Sequence, residues 1–231
     1  MSAAEAHELV PALDGSPLML SRLRLSPGSA HTIGDPERDS LLFTFEGSGS
    51  LRVGSETRPL RAGAAGLVLA GEEARLDAGS AQLSVICATI GPESDRHAPS
   101  GRHELVSALD HTRSEKATGA RSFQILFGPH NGSTRATLFA GFIPPGKAPW
   151  HYHLYDEIVW VPEGPGRLHI GDAAEELGQG SAFRLRPRQV HIVENLSTSA
   201  EMTVIGIFTP AGSPSAAYLT PEVAAEYRFA G

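Results

Sequence analysis

The sequence predicts an all-β protein of two tandem barrels with a few short helices, and three observations carry that expectation. The 231 residues include 25 Gly and 17 Pro, which suits short strands and frequent turns better than a helical bundle. The hydrophobic runs are short and rich in β-branched and aromatic residues, as in Thr137 to Ile143 and Ile158-Val159-Trp160-Val161. One unit also occurs twice. Asp39 to Leu51 aligns with Asp156 to Leu168, each reading strand, Glu-Gly-x-Gly turn, strand, at an offset of 117 residues. Pro27-Gly28 and Pro145-Gly146 precede the two copies in turn, and a repeat this long is a domain duplication. Each unit has the size of a small sandwich or barrel.

Composition narrows the function classes. A net charge of −7 argues against nucleic-acid or anionic-membrane partners, which need basic patches. A single cysteine, Cys87, excludes an internal disulfide framework and a Cys-based zinc site. The N-terminus lacks a basic and apolar leader pattern, and no apolar run is long enough for a bilayer span. The expectation is a cytoplasmic protein that is a monomer or homodimer, with a small-molecule substrate as its partner.

In chain order, the first twenty residues hold a strand or helix, and the first barrel occupies 1–97. Leu83 to Ala88, with Cys87, reads as a core strand. A polar linker follows over 98–118, with a short helix expected at Glu104 to Leu109. The second barrel occupies 119–231. Thr220-Pro221-Glu222 starts a closing helix to Tyr227, with an N-cap Thr and Pro at the first helical position.

Within the second unit, His151 and His153 sit at i and i+2. That spacing puts both rings on one side only in a strand, because strand side chains alternate while a helix would separate them by about 200°. A hairpin about Gly164-Pro165-Gly166, with Val161 opposite Leu168 and Val159 opposite Ile170, would turn Glu157 inward and leave Trp160 and His169 outside. Further on, Phe183, Leu185, Pro187, Gln189, His191, Val193 and Asn195 share one parity. Arg184, Arg186 and Arg188 share the other, so the arginines face solvent or a salt-bridged interdomain surface while His191 faces inward. A histidine pair, a carboxylate and a distant histidine could thus meet inside a barrel. Three nitrogens and an oxygen suit a divalent transition metal with open positions.

These residues resemble the cupin superfamily, and the duplication resembles a bicupin of two jelly-roll barrels. The first cupin motif, G-x5-H-x-H-x3,4-E-x6-G, is matched by His151, His153, Glu157 and Gly164 at its spacing, with Gly146 ahead of them at four residues from His151 instead of five. The second, G-x5-P-x-G-x2-H-x3-N, keeps Gly180, His191 and Asn195, but Arg186 and Arg188 replace its Pro and Gly. The resemblance implies that His151, His153, Glu157 and His191 bind one divalent transition metal (Fe, Mn, Zn, Ni or Co). In the first unit Ser40 aligns with Glu157 and Arg75 with His191. By ungapped count, Gly34 and Pro36 take the places of the paired histidines, and His31 is the only histidine nearby. That barrel is expected to be metal-free and structural.

The implied activity is that of a metal-dependent enzyme acting on a small oxygenated metabolite, with dioxygenase-type oxidation as the first reading. A metal-dependent isomerase, lyase or hydrolase of a sugar or keto-acid is the alternative, and a non-catalytic ligand-binding protein is a third. Glu157 or Asp156 would act as the catalytic base. Tyr155, Gln189 and Asn195 would contact substrate or support the ligands, though each is also readable as a rim or turn residue.

Overall fold

The computed structural model describes residues 4–117 and 120–221. The closing helix expected to Tyr227 lies, from residue 222 onward, outside the described residues. The first half of the chain forms β1 (Ala4–Val10), β2 (Leu18–Leu25), β3 (Ala30–Ile33), β4 (Asp39–Glu46), β5 (Ser48–Val53), β6 (Glu56–Arg61), β7 (Ala64–Val68), β8 (Ala74–Ala78), β9 (Leu83–Ile90) and β10 (Val106–Ala108). The second half forms β11 (Glu115–Lys116), β12 (Ser122–Phe127), β13 (Thr137–Ile143), β14 (Gly146–Lys147), β15 (His151–Tyr152), β16 (Asp156–Trp160), β17 (Gly166–Ile170), β18 (Ala173–Leu177), β19 (Ala182–Leu185), β20 (His191–Asn195), β21 (Met202–Thr209) and β22 (Tyr218–Leu219). The protein is all-β, with two short 3-10 turns at His111–Arg113 and Pro129–Asn131. No described helix is long and apolar enough to cross a membrane.

Each half pairs a large sheet with a smaller one. The first half has β1-β2-β9-β4-β7-β10 and β3-β8-β5-β6. The second has β11-β12-β13-β21-β16-β19 and β18-β17-β20-β15-β22, with β14 also pairing β20. The linker supplies an edge strand to each large sheet, β10 and β11. The helix expected at Glu104 to Leu109 is therefore a strand over Val106–Ala108, because pairing with β7 offers its backbone a ladder.

The two large sheets pack on each other. Leu18, Leu20, Leu41, Phe43, Ile86 and Ala88 of the first half join Leu138, Ala140, Ile158, Trp160, Ile205 and Ile207 of the second in one buried cluster. Trp160 faces Phe45 across this seam at a ring separation of 4.9 Å. Burial of one such large side chain is worth about 1.5–3 kcal/mol. The opposite faces of the same sheets line the two barrel interiors. Leu23, Leu42, Leu51, Leu76 and Val85 fill the first, and Val159, Leu168, Leu185, Val193 and Val204 fill much of the second. With both faces covered, β13 is buried at every position, which explains its unbroken apolar run.

The Gly164-Pro165-Gly166 segment does not close a hairpin. β16 pairs with β19 and β21, whereas β17 lies in the smaller sheet beside β18 and β20. The segment turns the chain from one sheet to the other. The inward side of each strand is nevertheless as the alternation predicts, since Val159, Val161 and Leu168 all enter the same interior.

Candidate metal centre

β15 and β20 meet at a single pairing, His151 opposite His191. That pairing puts two imidazoles side by side on the inner face of the smaller sheet, with ring centroids 4.4 Å apart. His153, two residues on, brings its ring 4.6 Å from that of His191 and 5.5 Å from that of His151. One ring nitrogen from each of the three lies within 4.8 Å of the others. Glu157 comes from the facing sheet, on β16, with Oε2 3.3 Å from His153 Nδ1. All four residues are buried.

The backbone fixes two of the rings. His151 Nδ1 donates to Pro149 O at 2.8 Å, and His191 Nδ1 donates to Gln189 O at 2.9 Å. Each Nε2 thereby carries the lone pair, the tautomer a metal ligand needs, and that of His151 accepts from Arg121 Nη1 at 3.4 Å. His153 is held instead by stacking. Tyr155 lies 4.5 Å from it and nearly coplanar, and is backed in turn by Phe208 at 4.0 Å. His153 Nδ1 is buried and has no hydrogen-bond partner among the described residues, because its approach to Glu157 is not aligned for one.

Burial dominates the electrostatics. It pushes His151 down to about 3, helped by nearby His191, His153 down to about 2 and His191 down to about 4. All three are therefore neutral at pH 7. Burial also pushes Glu157 up to about 8, against the pull of Arg121 and with a small push from Asp156. It raises the Tyr155 phenol well above its usual value, with Glu157 adding to the effect. Three neutral imidazoles with converging ring nitrogens form a donor set that a divalent cation would satisfy, and the buried Glu157 carboxyl stands beside His153 outside that three-nitrogen group. Gly206 on β21 makes room for the carboxyl: a Cβ there would stand 2.2 Å from Phe139 and 2.8 Å from Glu157 Oε1.

The other residues singled out in the sequence fall in different places. Tyr155 lines the same cavity as the histidines. Asp156 faces away from it, on the seam side of β16, where its Oδ2 accepts from Arg184 Nη1 at 2.7 Å and from Ser16. Gln189 acts through its backbone on His191, and its side chain accepts from Arg186 N at 3.0 Å to close the turn. Asn195 donates to Ile143 O and Ala200 O, both at 2.8 Å, and accepts from Ser197 N, so it ties the strand ends together without touching a ligand. His169 is outside, paired with Glu194 at 2.7 Å.

Sequence reasoning missed Arg121, the residue before β12. It lines the cavity and its Nη1 lies 3.4 Å from His151 Nε2. The only signal for it was a cationic residue opening an apolar strand. The cavity is small, about 80 Å³, with walls that include Phe123, Phe139, Val159, Leu185, Val193 and Val204.

The first half repeats the register of the second without its ligands. Leu51 opposite Leu76 and Val53 opposite Ala74 match Leu168 opposite Val193 and Ile170 opposite His191. The counterpart of His191 is therefore Ala74 rather than Arg75, and that of His151 is Ile33, which pairs with Ala74. Arg75 has the opposite parity and forms an exposed ion pair with Asp77. Ser40 keeps the place of Glu157, opposite Val68 as Glu157 is opposite Leu185.

Residues 140–208 match the family described as the cupin domain. That stretch holds the three histidines and Glu157. Among solved structures, oxalate decarboxylase from Bacillus subtilis superposes with a TM-score of 0.75 at 12% identity, covering 98% of this chain and 78% of the other. AerE from Microcystis aeruginosa gives 0.69 at 15% identity, covering 88% and 98%. A cupin 2 conserved barrel domain protein from Leptotrichia buccalis gives 0.63 at 14% identity, covering 89% and 88%. At these identities the likeness establishes a cupin-type jelly-roll fold. No curated protein matches the sequence.

Proposed function

We propose that the second half is a metal-dependent cupin enzyme acting on a small oxygenated acid, by dioxygenase-type oxidation. In this reading His151, His153, Glu157 and His191 hold one divalent transition ion. The observation that carries it is the convergence of three neutral, buried imidazoles beside a guanidinium, Arg121, in a cavity of about 80 Å³. A bound ion supplies a Lewis-acidic centre with positions open to substrate oxygens. The protein's own groups do the rest. Arg121, turned toward His151 Nε2, is placed to pair with a substrate carboxylate or enolate. Tyr155 and Phe208 keep His153 in place. The apolar walls and the small volume limit the substrate to a few heavy atoms.

The choice of oxidation over isomerisation or elimination rests on which groups line the cavity. Proton-moving reactions need a positioned acid or base besides the metal ligands. Among the described lining residues, Tyr155 is the only other group with a titratable acid, and burial keeps its phenol protonated, so it has no base form to take up a substrate proton and is a weak proton donor. Asp156, the other base expected from the sequence, points to the seam. The test loads purified protein with Fe, Mn, Co or Ni and follows dioxygen uptake with small keto and hydroxy acids. Uptake matched to acid consumed supports the reading. Turnover without dioxygen selects the lyase or isomerase alternative, and saturable binding without turnover selects the ligand-binding one. His191→Ala should lower bound metal from about one per chain to near zero; full retention would refute the ligand set.

A further inference from the structure

Two glycines face the interior of the second barrel from the middle of its large sheet. On β13 the inward parity holds Phe139, Gly141 and Ile143, and on β21 it holds Val204, Gly206 and Phe208. Phe139 stands directly opposite Gly206. We propose that Phe139, laid into the notch left by these two glycines, is the residue that selects substrates by size, holding the cavity to acids with a small body. This inference rests on the reading above that the cavity takes a small oxygenated acid.

The ring fills the space of two missing side chains. A Cβ at Gly206 would stand 2.2 and 2.4 Å from its Cε1 and Cζ, and one at Gly141 would stand 3.4 Å from its Cε2. Glycine inside a strand weakens the strand and marks a place where another group packs close on bare backbone. Here that group is the tip of Phe139. Glu157 Oε1 lies 2.8 Å from the same Cβ position at Gly206, so the ring tip and the carboxyl share the space over one glycine. Phe139 thus borders the cavity on the side of Glu157.

Its neighbours hold it there. Phe208 meets the ring edge-on at a separation of 5.9 Å, and Phe123 and Tyr155 belong to the same buried cluster. With the ring fixed, the cavity of about 80 Å³ does not widen toward Gly206. In the proposed reading the ion and Arg121 take the oxygens of the acid, which leaves its carbon body for the apolar walls. Such a wall discriminates by fit, with one methylene worth about 10–200-fold in an apolar pocket. Truncating Phe139 would open an apolar hollow over the two glycines beside the cavity. A hollow of that kind stays dry and accepts an aromatic ring.

The test titrates cobalt-loaded full-length protein with pyruvate and with phenylpyruvate, whose phenyl group replaces the deleted ring. Calorimetry compares the wild type with Phe139→Ala and with the milder Phe139→Leu. The wild type should bind pyruvate at least about tenfold more tightly than phenylpyruvate. That ratio should shift toward phenylpyruvate by about tenfold or more in Phe139→Ala, and in the same direction in Phe139→Leu. Bound cobalt per folded chain should stay unchanged. A merely structural role for Phe139 would weaken both acids alike. An unchanged ratio in whichever variant folds, or parallel weakening of the two acids, would overturn the proposal alone. Binding of neither acid to any of the three proteins would overturn the acid reading and this inference with it, so the two failures are distinct.

Discussion

Asp156 and Arg184 form a buried ion pair on the reverse side of the strand that carries Glu157. Arg184 Nη1 lies 2.7 Å from Asp156 Oδ2, and its Nη2 also donates to Pro11 O and Leu18 O at 3.0 and 2.6 Å. The pair thus ties the metal-side sheet to the first half of the chain. Removing one partner of such a pair leaves the other charge buried, at a cost of about 3–5 kcal/mol. Asp156→Ala should lower unfolding stability by about that amount in chemical denaturation. Bound metal per folded chain should stay unchanged, because the Asp156 side chain does not reach the cavity; a selective loss of metal would contradict that placement.

Arg188 adopts a left-handed backbone conformation, φ 65°, at the position where the cupin motif has glycine. Its N–H donates to His153 O at 2.6 Å, so the turn grips the ligand loop. This conformation costs a non-glycine residue about 1–2 kcal/mol. Arg188→Gly should recover roughly 0.5–1 kcal/mol after its greater unfolded-state entropy is counted. Thermal denaturation of the variant checks this; a lower midpoint would show that the Arg188 side chain contributes more than the strain costs.

Arg121→Gln should raise KM for the acid substrate at least tenfold while leaving metal content as it was. An anchor for a substrate anion acts on binding of the acid, and the amide cannot replace the charge. Steady-state kinetics with elemental analysis of the same samples separates this from a loss of metal. Unchanged KM would remove Arg121 from the binding role.

The metal-free protein should be most stable near pH 6.5. Glu157 is raised from 4.5 to about 8, so its contribution is complete below 4.5 and is lost as pH climbs through 8. The three histidines are lowered from 6.5 to about 3, 2 and 4, so theirs is present above 6.5 and is lost as pH falls toward those values. Unfolding midpoints in EDTA between pH 4 and 9 should trace this maximum. Added divalent metal should raise the midpoint more at pH 8 than at pH 5, because the ion binds deprotonated donors. A flat profile would mean the four groups are more solvated than their burial indicates.

Much of the second barrel was legible in the sequence because strand alternation is a local rule. It placed His191, Val193 and Glu157 on the inward side and Trp160 and Arg184 on the outward side. It did so even though the hairpin expected about Gly164-Pro165-Gly166 is instead a crossing between sheets. Parity survives such an error because both sheets present the same side of the chain to one interior.

The sequence by itself determined the all-β class and the spacing of three histidines and one glutamate that resembles the cupin motifs. Only the tertiary structure decided which non-local partners complete the picture. It set Ala74 rather than Arg75 opposite Ile33, turned Asp156 into the seam against Arg184, and brought Arg121, just ahead of β12, to His151. Alternation follows from the geometry of one strand, whereas pairing register and sheet packing depend on residues tens to more than a hundred positions away, whose approach no local pattern encodes.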